Sequence, residues 1–240
     1  MTQRSVVLCY HAVSDTWDHL LSVSPRAFER QLRLLLALRY VPGSAIDIRD
    51  RRGRILHVTF DDAFRSVWNA VPLLERLGVR ASVFACTEYA DGGGTFAPPE
   101  LADEASAHPE ELATMDWESL AAIVERGLEV GSHTRTHPHL TTLSDSELRF
   151  ELHDSRELLE DMLGVPCRFL AYPHGEHDAH VRAAARASGY HGAFALPGRE
   201  RPRDDFALPR VGVWRHTRLP RLTVKTSSLS RPVALLQGWR

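Results

Sequence analysis

The segment His57–Asp62 constrains the fold of this chain more than any other part of the sequence. It predicts a strand of alternating apolar residues that runs into the adjacent carboxylates Asp61 and Asp62 and then into a helix. Two neighbouring carboxylates at the mouth of a buried strand are costly in free energy unless a cation lies beside them. A metal ion is the obvious candidate, so we expect this strand end to form part of a metal site.

A second segment, residues 131–137, carries two histidines, His133 and His137. Two imidazoles four residues apart can converge on one ion if the chain turns helically between them. A carboxylate from Asp61 or Asp62 would complete a set of two histidines and one carboxylate, leaving an open position for water. An open position of this kind is typical of a catalytic metal site.

Composition excludes several classes of protein. The chain has 240 residues, of which 43% are hydrophobic and 25% charged, as expected of a globular protein with one sizeable core. A formal net charge of −2 gives no basic surplus that would point to nucleic acid. No apolar run approaches the roughly 18 residues that a membrane span needs. The three cysteines are far apart in apolar contexts and no signal-peptide pattern precedes Val6, so we expect free buried thiols and a cytoplasmic location.

The order of elements predicts the architecture, because apolar strands alternate with amphipathic helices. Strands are predicted at 6–10, 55–60, 81–86, 128–132, 169–172, 193–196 and 208–213. Helices are predicted from Pro25, after Asp62 as far as Gly78, at 117–126, after a Ser144–Glu147 capping box with Met162 on its buried face, and at 181–188. Repeated strand–helix units predict a parallel sheet or barrel, whose active site lies at the carboxyl ends of the strands. We expect a catalytic domain over 1–222 and a tail over 223–240.

Two stretches interrupt this alternation. Residues 47–54 are polar and predict a connecting loop. Residues 91–114 contain three consecutive glycines, which lack the lysine of a phosphate-binding loop. Loops this long are uncommon in a compact domain unless they are functional or mobile. We interpret the 91–114 segment as an excursion on the substrate side, the alternative being an insertion without a function.

Three motifs in a fixed order carry a family resemblance: Thr59–Asp62, His133–His137 and Tyr172–Gly175. Together they resemble the first three motifs of the polysaccharide deacetylase family, which is carbohydrate esterase family 4 or the NodB-homology domain. The resemblance extends through Tyr10-His11 and residues 208–210, so it covers residues 5 to 215 of the chain.

The resemblance implies a fold and a reaction. The fold would be a distorted, incomplete (β/α) barrel of about seven parallel strands. The reaction would remove acetyl groups from N-acetylated sugars and use a divalent metal ion, with zinc as the expected ion. By matching positions, the metal ligands would be Asp62, His133 and His137, and the general base would be Asp61. A backbone N–H near His174 would hold the oxyanion.

The chain departs from the family pattern at two places. Ala171 stands where the third motif commonly begins with an arginine that orients the base. We expect Arg210, from the last strand, to supply that guanidinium, the alternative being a structural ion pair. The late Leu-x-His motif, which supplies the acid for the leaving amine, is not recognisable. His11 and His174 are the candidates for that catalytic role because they lie nearest the predicted site.

The expected substrate is an N-acetylated amino sugar within a small or membrane-intermediate glycoconjugate, from which acetate is released. Substrate contacts are predicted at Tyr172, Pro173, Gly175 and Trp117. We expect no nucleic-acid partner, and the sequence predicts no oligomeric state. The alternatives are a metal-dependent amidohydrolase acting on a non-sugar amide or cyclic imide, and a non-catalytic relative that binds glycans.

Overall fold

Parallel strands form the centre of the molecule in the computed structural model, which describes residues 5–51, 53–196 and 204–226. The strands are β1 (Val6–Tyr10), β2 (Ala12–Val13), β3 (Ser22–Val23), β4 (Val41–Pro42), β5 (Ile55–Phe60), β6 (Ala81–Ala85), β7 (Glu129–Ser132), β8 (Phe169–Ala171), β9 (Gly192–Ala195), β10 (Leu208–Pro209) and β11 (Val211–Gly212). Eight of them follow the order β10-β9-β8-β7-β6-β5-β1-β11, with β4 added beside β5, and β2 pairs with β3 separately. Since Arg210 alone separates β10 from β11 in sequence, the sheet curls into a nearly closed barrel.

Helices cover the outside of this barrel. They are α1 (Pro25–Ala37), α2 (Ala45–Arg49), α3 (Val71–Leu77), α4 (Ala102–Ala107), α5 (Trp117–Glu125), α6 (Asp145–Arg149), α7 (Ser155–Leu163), α8 (Ala179–Ala187) and α9 (Leu219–Thr226). A π-helical turn, Phe150–Asp154, joins α6 to α7, and a 3-10 turn, Arg65–Asn69, precedes α3. Among the helices of the described ranges, none has both the length and the apolar character required to cross a membrane.

The strands are buried on both faces, since successive side chains of a strand point in opposite directions. One set lines the barrel interior with an apolar cluster that includes Val7, Ile55, Phe84, Phe169, Ala171, Phe194 and Leu208. The other set packs against the helices in the main core, which includes Leu8, Val58, Val83, Leu170 and Tyr172. Burial on both faces explains why the strands are continuous apolar runs in the sequence.

Several predicted elements are confirmed. Strands 6–10 and 55–60 have the predicted bounds. The side chain of Ser24 accepts a hydrogen bond from the Ala27 N–H and so caps α1, as the Ser24-Pro25 pair predicts. Both hydrogen bonds of the Ser144–Glu147 capping box are present. The cysteines Cys9, Cys86 and Cys167 are buried free thiols.

Other predictions are wrong. The 47–54 loop overlaps α2, whose five residues are too few to show a helical period but have a capping box between Ser44 and Asp47. The strand predicted at 208–213 is broken at Arg210. Met162 is 49% exposed, since it lies in the last turn of α7, beyond the buried part of that helix. Helix α9 runs across the predicted domain boundary at 222/223, and the predicted tail beyond 226 lies outside the described residues.

Gly131 on β7 generates a prediction about stability. A Cβ at this position would lie 2.5 Å from a ring carbon of Phe84 and 2.7 Å from the main-chain oxygen of Phe169 on the neighbouring strand. Because the strand backbone cannot withdraw freely, Gly131→Ala should lower the free energy of unfolding by about 1–3 kcal/mol in chemical denaturation. Gly94→Ala is the matched control, since its nearest neighbour would lie 4.0 Å away. Equal stabilities for the two variants would contradict the steric argument.

Candidate active site

The carboxylates of Asp61 and Asp62 lie at the carboxyl end of β5, and each residue is 3% exposed. The Asp61 N–H donates to the Tyr10 carbonyl at 3.0 Å, so the pairing of β5 with β1 continues through Asp61. The next two residues, Asp62 and Ala63, have left-handed φ values of 65° and 49°. This bend separates the environments of the two carboxylates.

Asp62 and the two histidines of the second motif form one set of possible ligands. The Oδ1 atom of Asp62 lies 3.5 Å from His133 Nε2 and 3.8 Å from His137 Nε2. Tetrahedral ligands about 2.1 Å from a zinc ion lie roughly 3.4 Å from one another. The buried Asp62 Oδ1 has no hydrogen-bond partner within the described residues. His133 Nδ1 donates to the Ala171 carbonyl at 2.8 Å, which leaves the lone pair on Nε2 free to face Asp62. The donor set therefore fits a divalent ion.

Electrostatics lead to the same conclusion. Burial, together with the neighbouring Asp61 carboxylate, raises the pKa of Asp62 well above its ordinary value. Burial lowers the pKa of both His133 and His137. These shifts favour an uncharged carboxyl group beside two neutral imidazoles. A bound cation lowers the pKa of the Asp62 carboxyl group again, so that it ionises, and accepts the lone pairs of the neutral imidazoles.

The turn between the two histidines is not helical, yet both imidazoles converge on Asp62. Thr134 and His137 have left-handed φ values of 71° and 66°. Glu151, which is 5% exposed, holds this turn: its Oε2 accepts from the N–H groups of Arg135 and Thr136 at 2.8 and 3.0 Å. Its Oε1 accepts from the Thr136 hydroxyl at 2.7 Å. Sequence reasoning missed Glu151, although an acidic residue on the buried face of the predicted helix was a usable signal.

Asp61 does not belong to this ligand set but forms an ion pair with Arg210. Arg210 Nη1 and Nη2 donate to the two oxygens of Asp61 at 2.5 and 2.8 Å, and Nη1 also donates to the Thr59 hydroxyl at 3.1 Å. Burial alone would raise the pKa of Asp61, but the charge of Arg210 holds it well below its ordinary value. The Cys9 thiol, protonated because burial raises its pKa, lies 3.4 Å from Asp61 Oδ2. Asp61 is therefore held ionised in a fixed orientation.

The position of Arg210 accounts for the alanine at 171. Ala171 belongs to the interior cluster of the barrel, and the Arg210 guanidinium lies 5.8 Å from the ring centre of interior Phe84. Both residues thus face the barrel interior. The structure places a guanidinium on the candidate base as expected; its catalytic role stays a prediction.

His11 directly follows β1 and lies beside Asp61. One of its ring nitrogens is within 4.8 Å of an Asp61 carboxylate oxygen. Its ring stacks on Trp214 with 5.3 Å between centroids, and its Nδ1 has no hydrogen-bond partner within the described ranges. Burial lowers the pKa of His11 to about 4, so the imidazole is neutral at pH 7.

His174 lies at the rim of the ligand set. It has a left-handed φ of 58°, and its main-chain N–H makes no hydrogen bond within the part of the chain that the structure describes. Its ring stacks on His139 with 4.0 Å between centroids, and its Nε2 lies 3.7 Å from Glu100 Oε1. Burial lowers the pKa of His174. The free N–H is available to an acceptor at the rim.

The 91–114 segment packs against this site. Besides Glu100, it contributes Phe96, whose ring meets the ring of His137 edge-on at 5.1 Å. Its apolar residues form an outer core with the loop that follows β1; this outer core comprises Ala12, Trp17, Leu21, Phe64, Cys86, Phe96, Leu101, Ala105 and Leu112. The Trp17 indole N–H donates to Glu104 at 2.6 Å. The segment therefore forms a packed wall beside the ligand set.

The predicted substrate contacts need correction. Tyr172 is fully buried and donates its hydroxyl to the Phe206 carbonyl at 2.9 Å, so its side chain cannot reach a substrate. The physical reason is the alternation of β8, which places Ala171 inside the barrel and Tyr172 on the outer face. Pro173 is also buried. Trp117 is only partly buried against the main core and donates its indole N–H to Asp91 at 2.6 Å, so it stays a candidate. Gly175, half-buried beside His174, stays a candidate.

Comparisons with known proteins agree with the motifs and the fold. The sequence model of the polysaccharide deacetylase family matches residues 49–193. The chain belongs to the polysaccharide deacetylase family. Membership makes it a hydrolase that deacetylates carbohydrates. YxkH of Bacillus subtilis (strain 168), which carries the name of this family, is 24% identical over 217 residues, covering 86% of this chain and 70% of YxkH. Chitin deacetylase 1 of Cryptococcus neoformans var. grubii is 38% identical over 63 residues, covering 26% of this chain and 13% of that protein.

Solved structures of other deacetylases share the fold. A polysaccharide deacetylase from Bacillus cereus is similar with a TM-score of 0.75 and 24% identity, over 94% of this chain and 69% of that chain. IcaB from Ammonifex degensii is similar with a TM-score of 0.73 and 25% identity, over 94% and 98% of the two chains. The barrel described above is therefore the deacetylase barrel.

The ligand set generates a prediction about metal content. We expect the purified protein to hold about one divalent ion per chain, and His133→Ala or His137→Ala to lose it, because two ligands do not hold such an ion tightly. Metal content is measured by elemental mass spectrometry after dialysis. His153→Ala, which removes a partly exposed histidine from another acidic cluster, is the control and should retain the ion. Retention of the ion by both site variants would refute the ligand assignment.

Glu151 generates a second prediction about the ion. Glu151→Gln keeps the shape but replaces a carboxylate that accepts three hydrogen bonds, so the turn holding His133 and His137 loses orientation. Affinity for the ion, measured by competition with a chelator, should fall by roughly 10–100-fold. Glu157→Gln changes an exposed carboxylate on α7 and should leave affinity unchanged. Unchanged affinity in Glu151→Gln would show that the turn does not depend on this carboxylate.

Proposed function

We propose that the chain is a metal-dependent N-deacetylase that removes acetate from an N-acetylated amino sugar within a small glycoconjugate. The observation that carries the proposal is the opposite environment of the two adjacent carboxylates. Asp61 is paired with Arg210 and kept ionised, whereas an Asp62 oxygen that no described residue hydrogen-bonds faces two imidazole nitrogens. One carboxylate is therefore suited to be the base and the other to be a ligand.

The ion would be held by Asp62, His133 and His137, with zinc as the expected metal. When bound, such an ion polarises the substrate carbonyl and lowers the pKa of a water molecule to about 7. Asp61 accepts the proton of the attacking water, and Arg210 fixes the direction in which the Asp61 oxygens face. The main-chain N–H of His174, which has no other acceptor among the described residues, donates to the oxygen that becomes negative.

We assign the transfer of the proton to the leaving nitrogen to His11. Arg210 makes Asp61 a weak proton acceptor, so a proton taken from water does not remain on Asp61. The pKa of His11, at about 4, still lies above that of Asp61, and the two groups are neighbours. A proton can therefore pass to the His11 imidazole and then to the amine. His174 is the alternative donor, since it also lies beside the ligand set.

The substrate class is proposed from the wall beside the site. The 91–114 segment brings Glu100 and Phe96 to the rim, and its packed outer core restricts the site more than an open groove would. This favours mono- or disaccharide conjugates over long polymers. The match to a protein named chitin deacetylase supports an N-acetyl amino sugar. The cytoplasm is the proposed compartment, which the three unpaired cysteines fit.

One experiment tests the function and the roles of the two carboxylates together. Acetate and free amine are measured for N-acetylglucosamine conjugates, for long N-acetylglucosamine polymers, and for non-sugar amides and cyclic imides. Short conjugates should be the better substrates. Asp61→Asn should retain the ion and lose turnover, whereas Asp62→Asn should lose both. Release of acetate from none of the sugars would refute the proposed function, and the opposite behaviour of the two variants would exchange their roles.

A comparison of leaving groups separates Arg210 from His11. Arg210→Ala should slow hydrolysis of both an N-acetyl sugar and 4-nitrophenyl acetate by about 10²-fold, because the base acts on both substrates. His11→Ala should slow the amide by about 10²–10⁴-fold and the ester far less, because nitrophenolate leaves without a proton. His174→Ala, which keeps the main-chain N–H, tests the alternative donor and should slow the amide far less than His11→Ala does. Equal losses on both substrates for His11→Ala would rule out its role as the acid.

A further inference from the structure

A groove beside α1 carries a concentration of arginines that the proposed reaction does not use. We call it the arginine groove; it is lined by Arg30 on α1 and by Arg215, His216 and Arg218, which follow β11. Gln31 and Thr217 also line it, and no carboxylate does so among the residues described. The groove lies on the same face of the barrel as the candidate active site, because β11 ends and α1 begins on that face.

Two of the guanidinium groups are available to a ligand. Arg30 and Arg218 are exposed, and neither guanidinium makes an ion pair or a hydrogen bond with another described residue. Arg215 is partly neutralised, since its Nε lies 2.6 Å from Asp18. Glu29, the acidic neighbour of Arg30 in the sequence, does not neutralise the charge of Arg30, because it pairs with Arg33 and Arg76. In a chain of net charge −2, this local excess of positive charge predicts an anionic ligand.

The groove is connected rigidly to the active site. Gln31, 2% exposed, accepts from the Tyr10 hydroxyl at 2.8 Å and donates to the Thr217 carbonyl at 3.0 Å. The Thr217 hydroxyl accepts a hydrogen bond from the main-chain N–H of Trp214 at 2.9 Å. Trp214 in turn stacks on His11. A single turn, residues 214–217, therefore has one end against the candidate acid and the other in the arginine groove.

We propose that the arginine groove binds the phosphate group of a phosphorylated glycoconjugate whose acetamido sugar occupies the active site. This inference rests on the proposed function and specifies its substrate class. Guanidinium groups match the geometry of phosphate oxygens through paired N–H donors, and two uncompensated guanidiniums match its double charge. The reaction that supplies the substrate must then attach a phosphate monoester, which carries this double charge, near the N-acetylated sugar.

The test compares kcat/KM for N-acetylglucosamine 1-phosphate with kcat/KM for its neutral methyl glycoside. The wild-type protein should prefer the phosphate. Arg30→Ala and Arg218→Ala should each lower kcat/KM for the phosphate about tenfold, the value of one charge-assisted hydrogen bond, and leave the neutral glycoside unchanged. Arg126→Ala, which removes an exposed arginine on the far end of α5, is the control. Equal kcat/KM for both substrates in the wild-type protein would overturn the proposal.

A binding measurement keeps this inference separate from the proposed function. Inorganic phosphate should raise the melting temperature of the wild-type protein but not that of the Arg30→Ala/Arg218→Ala double variant. Deacetylation of the neutral glycoside without any effect of phosphate on the melting temperature would retain the function and overturn the groove. Binding of anionic phospholipid vesicles that depends on both arginines, without selectivity for the sugar phosphate, would also overturn it in favour of a membrane contact.

Discussion

The ion pair between Arg210 and Asp61 is the interaction on which the rest of the site depends. A guanidinium that is 1% exposed inside a barrel requires its counter-ion, and removing one partner of such a pair typically costs about 3–5 kcal/mol. Arg210 stands between β10 and β11, and its N–H donates to Ala195 at 2.9 Å while its side chain turns inward. Arg210 therefore lies where the two ends of the sheet meet and also keeps the candidate base Asp61 ionised.

The bend after Asp61 explains how two neighbouring carboxylates serve different purposes. In a regular strand their side chains would alternate between the barrel interior and the helices, and only one could face the site. Left-handed conformations at Asp62 and Ala63 turn the chain so that both reach it. Such conformations cost free energy in non-glycine residues. Here the full burial of Phe64 in the outer core offsets that cost.

Sequence reasoning succeeded where local patterns carry the information. The run 55–60 ending in two carboxylates, the capping box at Ser144 and the ordered motifs were sufficient for the strands, the helix start and the family. It failed where three-dimensional context decides. The outward direction of Tyr172 depends on the register of β8. The turn at 133–137 depends on hydrogen bonds to the carboxylate of Glu151, which belongs to the π-helical turn between α6 and α7. The pairing of Arg210 with Asp61 could be anticipated only because Ala171 left a position without its arginine.

The outer core has a thermodynamic consequence for the candidate metal site. Phe96 meets the ring of His137 edge-on, so packing of the 91–114 segment on Trp17 and Phe64 helps to hold the imidazole in its direction. An ion that requires this direction binds the packed form more tightly than any form in which the segment has come away, and so it stabilises the packed form by mass action. Local opening of the segment and loss of the ion are therefore coupled in one equilibrium. When the ion is bound, the buried amide hydrogens of the 91–114 segment exchange more slowly.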